Sequence, residues 1–233
     1  MSNKNVTSKS RRKFFKKAAA VTGATAAAVA MPNVGAWSGS HGKTVKLKMQ
    51  AAWGGGIFLE MAKQYGDRVN AMGGGSLQME VLPVGAVLKT KEIADGVSKG
   101  VVDASHSVTA YWYGKNAAAS LFGTGPSYGF SSQELMGWIE EGGGRALYEK
   151  TLKKIGLDVV GFFAMPMPAQ PFGWFKKHTT KVSQVKGLKY RTVGLATNVL
   201  QKMGMVVRQL PGGEIQPAMK TGLIDAAEFN NPT

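Results

Sequence analysis

The same order of elements is written twice in this chain, and that repetition limits the fold more than any composition figure. Residues 45–52 alternate, Val45, Leu47 and Met49 against Lys46, Lys48 and Gln50, which predicts a strand. Gly54, Gly55 and Gly56 form a turn, and residues 57–72 place Phe58, Met61, Ala62, Tyr65 and Val69 at helical spacing up to the stop at Gly73. A strand is expected over 77–82, a break at Pro83 to Gly85, a helix over 90–99 and a short apolar strand over 101–105. The second half repeats the order. It has a strand over 188–192, Gly194, a helix over 197–203 and a strand over 206–210. Pro211-Gly212-Gly213, a helix over 215–221 and a strand over 224–229 follow. Leu82 to Asp103 spans 21 residues and Leu210 to Asp225 spans 15, so this is an echo of structure and not a tandem repeat of sequence.

The echo implies an α/β protein of two similar lobes, each a small sheet wrapped by helices. Between the halves, Ser131-x-x-Glu134 has the form of a capping box and opens a helix to about Glu141. A further helix is expected over 145–154 and strands over 157–163 and 172–175. Pro166, Pro168 and Pro171 mark a break, which sets lobe I at 43–165 and lobe II at 166–233.

In sheets of this kind ligands bind beyond the carboxyl ends of the strands. Those ends fall at Trp53, at 106–113, at 191–194 and at 228–230, and they carry aromatics, one Arg, one Glu and amides. That set suits a small carboxylate. The Arg191 guanidinium can make two parallel charge-assisted bonds to one, or it can be an ion-paired arginine at a lobe edge. Glu228 ends an apolar segment, where an unpaired carboxylate is costly to bury. It needs a cation, either Arg191, a lysine or a metal. Gln170, Glu228 and the backbone carbonyl of Phe229 offer the oxygens that hard cations prefer.

Other patterns carry less. Gly54–Gly56 lacks the Lys-Ser/Thr of a phosphate loop, and no dinucleotide fingerprint completes. His41, His106 and His178 have no metal-ligand spacing, and Ser105-His106-Ser107 is no nucleophile–base pair because neighbours on a strand point to opposite faces. Tyr111-Trp112-Tyr113 either stacks on a ligand or fills the core, and Met165, Met167, Met203 and Met205 read as packing.

The amino terminus supplies an address. Ser10-Arg11-Arg12-Lys13-Phe14-Phe15-Lys16 precedes the weakly apolar run 18–30, and Val34-Gly35-Ala36 fits a cleavage site before Trp37, with Ala28-Val29-Ala30 as the second choice. Residues 1–36 read as a twin-arginine signal peptide, which implies a periplasmic protein exported folded. The competing readings are an uncleaved anchor or a basic tail for nucleic acid. The apolar run is shorter than the roughly 20 residues a bilayer span requires. The segment holds seven basic residues and no acidic one, so the formal charge of +15 falls to +8 without it. No arginine stripe remains, and nucleic acid is not an expected partner. The absence of cysteine excludes disulfides, thiol nucleophiles, iron–sulfur ligation and an N-terminal lipid anchor.

Several segments together resemble the solute-binding proteins of tripartite ATP-independent periplasmic (TRAP) transporters, the DctP type. They are Gln50-Ala51-Ala52-Trp53, Tyr111-Trp112-Tyr113-Gly114-Lys115, Leu188-Lys189-Tyr190-Arg191, Leu210-Pro211-Gly212-Gly213-Glu214 and Gly222-Leu223-Ile224-Asp225-Ala226-Ala227-Glu228-Phe229. They lie in order over 43–233 and are most similar to the branch for 2-oxo acids, lactate, mannitol or chloroaromatic compounds. The resemblance implies a two-lobed periplasmic binding protein fold, type II-like, that closes on a small organic carboxylate and delivers it to TRAP membrane permease subunits. It implies that Arg191 clamps the carboxylate and that Na⁺ or Ca²⁺, held by Gln170, Glu228 and the Phe229 carbonyl, bridges ligand and protein. Trp53, Tyr111, Phe229 and Asn198 are the implied wall residues. No other cofactor is implied, and a homodimer is compatible with the family. Where the family usually has Trp, Phe229 lacks the indole donor, and Asn230-Asn231 are the expected substitute contacts. The family continues past this motif, so the second lobe is expected to be incomplete, with low stability and weak binding. The alternative reading is an exported enzyme carrying a redox cofactor, which no cofactor motif supports. An adhesion module is a third reading, disfavoured by the polar strand ends.

Overall fold

The computed structural model describes residues 43–123, 129–165, 167 and 170–229. The twin-arginine segment, His41, Pro166, Pro168 and Asn230-Asn231 lie outside the described residues.

Two sheets organise the fold, and their topologies match. The first runs β2-β1-β3, from β1 (Val45–Ala51), β2 (Leu77–Leu82) and β3 (Ala104–His106), all parallel. The second runs β4-β7-β5-β6, from β4 (Trp174–Phe175), β5 (Lys189–Thr192), β6 (Val206–Gln209) and β7 (Ala226–Ala227). There β5 is parallel to β6 and β7, and β4 joins β7 antiparallel. The strand that opens each repeated set, β1 or β5, lies between the two that follow it in that set, as the repeated order implies. The crossovers are helical: α1 (Gly56–Gly73) and α2 (Ile93–Ser98) in the first half, α5 (Ala196–Lys202) and α6 (Ile215–Thr221) in the second.

The echo extends to single hydrogen bonds. Asp103 Oδ2 accepts from Lys48 N–H at 2.7 Å while Asp103 N–H donates to the Lys48 carbonyl at 2.9 Å. Asp225 Oδ2 accepts from Lys189 N–H at 3.3 Å, and Asp225 N–H donates to the Lys189 carbonyl at 2.7 Å. In both halves the Asp-Ala pair ties the incoming strand to the central one. The glycine three residues earlier has positive φ, +70° at Gly100 and +75° at Gly222, a turn that L side chains resist.

The first core gathers Met49, Ala51, Ala52, Trp53, Phe58, Leu59, Ala62 and Ile93 between β1, α1 and α2. Gly66 lets α1 approach β2: a Cβ there would sit 2.6 Å from Val81 Cγ2. Asn70 on α1 accepts from Met79 N–H at 2.5 Å and donates to the Met79 carbonyl at 3.0 Å, satisfying one residue of the edge strand. Gln50, expected on a polar face, is fully buried. Its amide donates to the Leu88 carbonyl at 2.6 Å and accepts from Leu88 N–H at 3.1 Å, so neither polar atom is stranded.

The capping box of α3 (Ser132–Glu141) is present: Ser131 Oγ accepts from Glu134 N–H and Glu134 Oε2 accepts from Ser131 N–H. Hydrogen bonding to Ser131, its backbone N–H first, holds the Glu134 carboxyl below its ordinary pKa. Helix α4 (Gly144–Lys154) follows, and Phe122, Tyr148, Leu152 and Leu157 form a second core with Trp138 and Phe163.

Several expectations need correction, among them the strand over 172–175, of which only Trp174–Phe175 pairs. Residues 157–163 form no strand: Leu157 is buried and Val160 and Phe162 are exposed, so the alternation is real, but no ladder partner lies beside it among the described residues. Period-two burial reports an extended, half-covered chain, and only a neighbouring edge makes it a strand. Residues 90–99 divide into a 3-10 turn, Thr90–Glu92, and α2. The strand expected at 101–105 begins at Ala104, after the Gly100 turn. The last strand is two residues long and not six, because β4 and β5 flank β7 only at Ala226 and Ala227.

Candidate functional site

The carboxyl ends of β1, β3, β5 and β7 surround one small cavity of about 40 Å³. Trp53 comes from the end of β1 and Phe58 from the first turn of α1. Val108, Ala110 and Tyr111 follow β3, Arg191 and Val193 come from β5, and Glu228 and Phe229 come just after β7. Met167 and Gln170 complete the lining from the segment between the two sheets. The sequence places Trp53, Tyr111, Gln170, Arg191, Glu228 and Phe229 in a common site, and all six line this cavity.

Arg191 lies on the central strand of the second sheet and is 2 % exposed. Nε donates to the Leu210 carbonyl at 2.7 Å. Nη1 donates to the Glu228 carbonyl and to Glu228 Oε1, both at 3.0 Å. Thr192 Oγ1 donates to the same Oε1 at 3.1 Å. Of the cations the sequence left open for Glu228, the partner is Arg191. The register explains the pair: Arg191 faces Ala227 across the ladder, and Glu228 N–H donates to the Arg191 carbonyl at 3.1 Å.

Aromatic rings wall the cavity. Trp53 stacks on Phe58 with centroids 5.0 Å apart, and Phe58 meets Phe229 edge-on at 6.2 Å. Tyr111 Oη accepts from Gly212 N–H at 3.2 Å, joining the turn after β3 to the turn after β6. Burial raises the Tyr111 phenol above its ordinary pKa, and the nearby Arg191 charge opposes that rise. The hydroxyl is therefore protonated at neutral pH and can donate. His106 packs on Trp53 with ring centroids 4.8 Å apart, and burial lowers its pKa below the ordinary value. Its Nδ1 is buried without a hydrogen-bond partner among the described residues.

Asn198 lies elsewhere. It is exposed on α5 and accepts from Tyr113 Oη at 2.9 Å, outside the lining of the cavity. Sequence reasoning passed over Thr192, which orients Glu228, and gave Met167 and Phe58 to packing alone. Only the adjacency of Thr192 to Arg191 signalled the first.

A two-sheet α/β fold with a cavity across its strand ends defines a class, the two-lobed binding protein. The chain belongs to the bacterial extracellular solute-binding proteins of family 7 (DctP), whose model matches residues 55–233. It is 33% identical over 225 residues to a monocarboxylate 2-oxoacid-binding periplasmic protein of Nostoc sp., an alignment covering 95% of this chain and 61% of that protein. A TRAP transporter solute-binding protein of Bordetella bronchiseptica, crystallised with co-purified calcium and picolinate, is similar at 31% identity and a TM-score of 0.75. The match covers 81% of this chain and 56% of that one. One from Pseudoalteromonas atlantica with bound sodium and pyruvate is similar at 29% identity and a TM-score of 0.71, covering 82% and 57%. The chain therefore spans somewhat over half the length of these relatives. The family is one of solute-binding proteins, and the reading as an exported enzyme finds no support in it. No helix among the described residues is long and apolar enough to cross a membrane.

Proposed function

We infer that this protein captures a small monocarboxylate, a 2-oxo or hydroxy acid, in the periplasm and hands it to a TRAP membrane permease. Residues 1–36 act as its twin-arginine signal, and 43–165 and 166–233 contribute the two lobes. The observation that carries the reading is the buried Arg191–Glu228 pair at the meeting point of four strand ends under an aromatic wall. Arg191 binds the carboxylate, Tyr111 donates to it, and Trp53 and Phe229 enclose the carbon skeleton.

Charge balance supports a bridging cation. Glu228 already neutralises Arg191, so an incoming carboxylate would leave a buried excess of negative charge. Among the described residues, Arg191 Nη1 and Thr192 Oγ1 both donate to Oε1 of the Glu228 carboxylate. Gln170, Glu228 and Phe229 all line the cavity, and the Glu228 carboxylate, the Gln170 amide oxygen and the Phe229 carbonyl would offer Na⁺ or Ca²⁺ the oxygen ligands it prefers, with the ligand's own oxygens completing the shell. The similar structures hold a cation together with a carboxylate, calcium with picolinate in one and sodium with pyruvate in the other. A dimer is compatible with this function and not required by it.

A thermal-shift screen of the 233-residue chain against pyruvate, lactate, pyroglutamate and picolinate at millimolar concentration, with Ca²⁺, Na⁺ or chelator, tests the reading. The melting temperature rises with at least one acid and rises further with a cation. A flat response to every acid in every salt overturns it.

A further inference from the structure

We propose that Tyr113 and Asn198 form a latch that holds the two halves together and sets how long the ligand stays, without touching it. This rests on the binding reading above for its consequence, though not for its geometry. Tyr113 closes the 3-10 turn Thr109–Trp112 that also carries Tyr111, and Asn198 lies on α5 of the second half. Tyr113 Oη donates to Asn198 Oδ1 at 2.9 Å across 85 residues of sequence. Tyr111 reaches into the cavity, whereas Tyr113 and Asn198 are absent from its lining. One short turn therefore aims one phenol at the ligand and the other at the opposite lobe. Tyr111 itself bonds Gly212 N–H in the second half, so ordering this turn engages both contacts together. Hinge-bending binding proteins gain affinity from any contact present only when closed, because it adds to the closed population without adding to the site. A neutral bond at an exposed rim is worth about a 2- to 10-fold change in that population.

The chain has no cysteine, so Lys91→Cys with Lys202→Cys, both exposed in opposite halves, takes a clean pair of spin labels. In the ligand-free protein Tyr113→Phe shifts the interspin distance distribution to longer values, and Asn198→Leu does the same. Asn198→Asp, which keeps the acceptor, leaves it in place. With pyruvate and Ca²⁺, Tyr113→Phe raises the dissociation rate about 2- to 10-fold with the association rate unchanged, and the melting temperature of the ligand-free protein stays where it was. The double variant loses no more than either single one. Unchanged distances and dissociation rates in Tyr113→Phe overturn the latch. If no carboxylate binds the parent protein, the binding reading fails, and the ligand-free distances still decide the latch.

Discussion

Arg191 Nη1 and Glu228 Oε1 stand 3.0 Å apart at the floor of the cavity, and Arg191 also holds the main-chain carbonyls of Leu210 and Glu228. One guanidinium thus fixes the ends of three segments: β5, the turn after β6 and the strand end after β7. The site and the second sheet share this residue, so binding and stability are coupled through it.

Replacing Arg191 by Ala leaves Glu228 buried without a cation and costs about 3–5 kcal/mol of stability by denaturant melting. Arg191→Lys keeps the charge but cannot reproduce the forked contacts. It folds, and in calorimetry it binds pyruvate at least about 10-fold more weakly, the loss of one charge-assisted bond. Full affinity in the lysine variant would show that the guanidinium is not the clamp.

Glu228→Gln separates the two roles of the carboxylate. The amide oxygen can still accept from Thr192 and Arg191, so the fold survives. The extra negative charge is gone, and the dependence of carboxylate binding on Ca²⁺ falls with it. Calcium titrations at fixed pyruvate check this; an unchanged calcium response would place the cation elsewhere.

His106 makes stability fall with acid. Its folded-state pKa lies below the ordinary 6.5 because burial disfavours the imidazolium. The unfolded chain therefore binds the extra proton first. The contribution from neutral His106 is complete above about pH 6.5 and is lost as pH falls from there toward the depressed folded value. His106→Phe keeps a ring against Trp53 and flattens this part of the melting-temperature profile. A profile of unchanged slope would mean that other groups carry the acid sensitivity.

Gly66 sets the distance between α1 and the first sheet. Gly66→Ala places a methyl against Val81 and lowers stability by about 1–3 kcal/mol, the usual range for overpacking. Gly74→Ala, whose Cβ meets open space but whose φ is +52°, loses only the left-handed cap. The two melts compared distinguish a packing cost from a backbone cost.

Much of the fold was legible because local chemistry and long-range topology agree. Alternation gave β1, glycine stops bounded α1, and the capping box gave α3. The repeated order yielded two sheets of matching connectivity, and the Asp-Ala pairs that marked it prove to be strand ties. Position at a strand end was enough to gather Arg191, Glu228, Trp53 and Tyr111. Partners were not legible. Residues 157–163 carry a strand's burial pattern without a strand's neighbour among the described residues, and no property of those seven residues encodes which edge lies beside them. Gln50 reads as a surface residue until the Leu88 backbone arrives from 38 positions away. Asn198 has the chemistry of a wall residue, yet the helix start after Gly194 points it to Tyr113.

The central claim is that a buried, already paired arginine binds a carboxylate with the help of a cation. Titration calorimetry of pyruvate into the purified chain, in matched calcium and chelator buffers, tests it most directly. Pyruvate binds saturably in calcium and about 10-fold or more weakly in chelator, one charge-assisted contact's worth. Binding of equal strength in both buffers would contradict the cation's part, and no binding in either would contradict the claim as a whole.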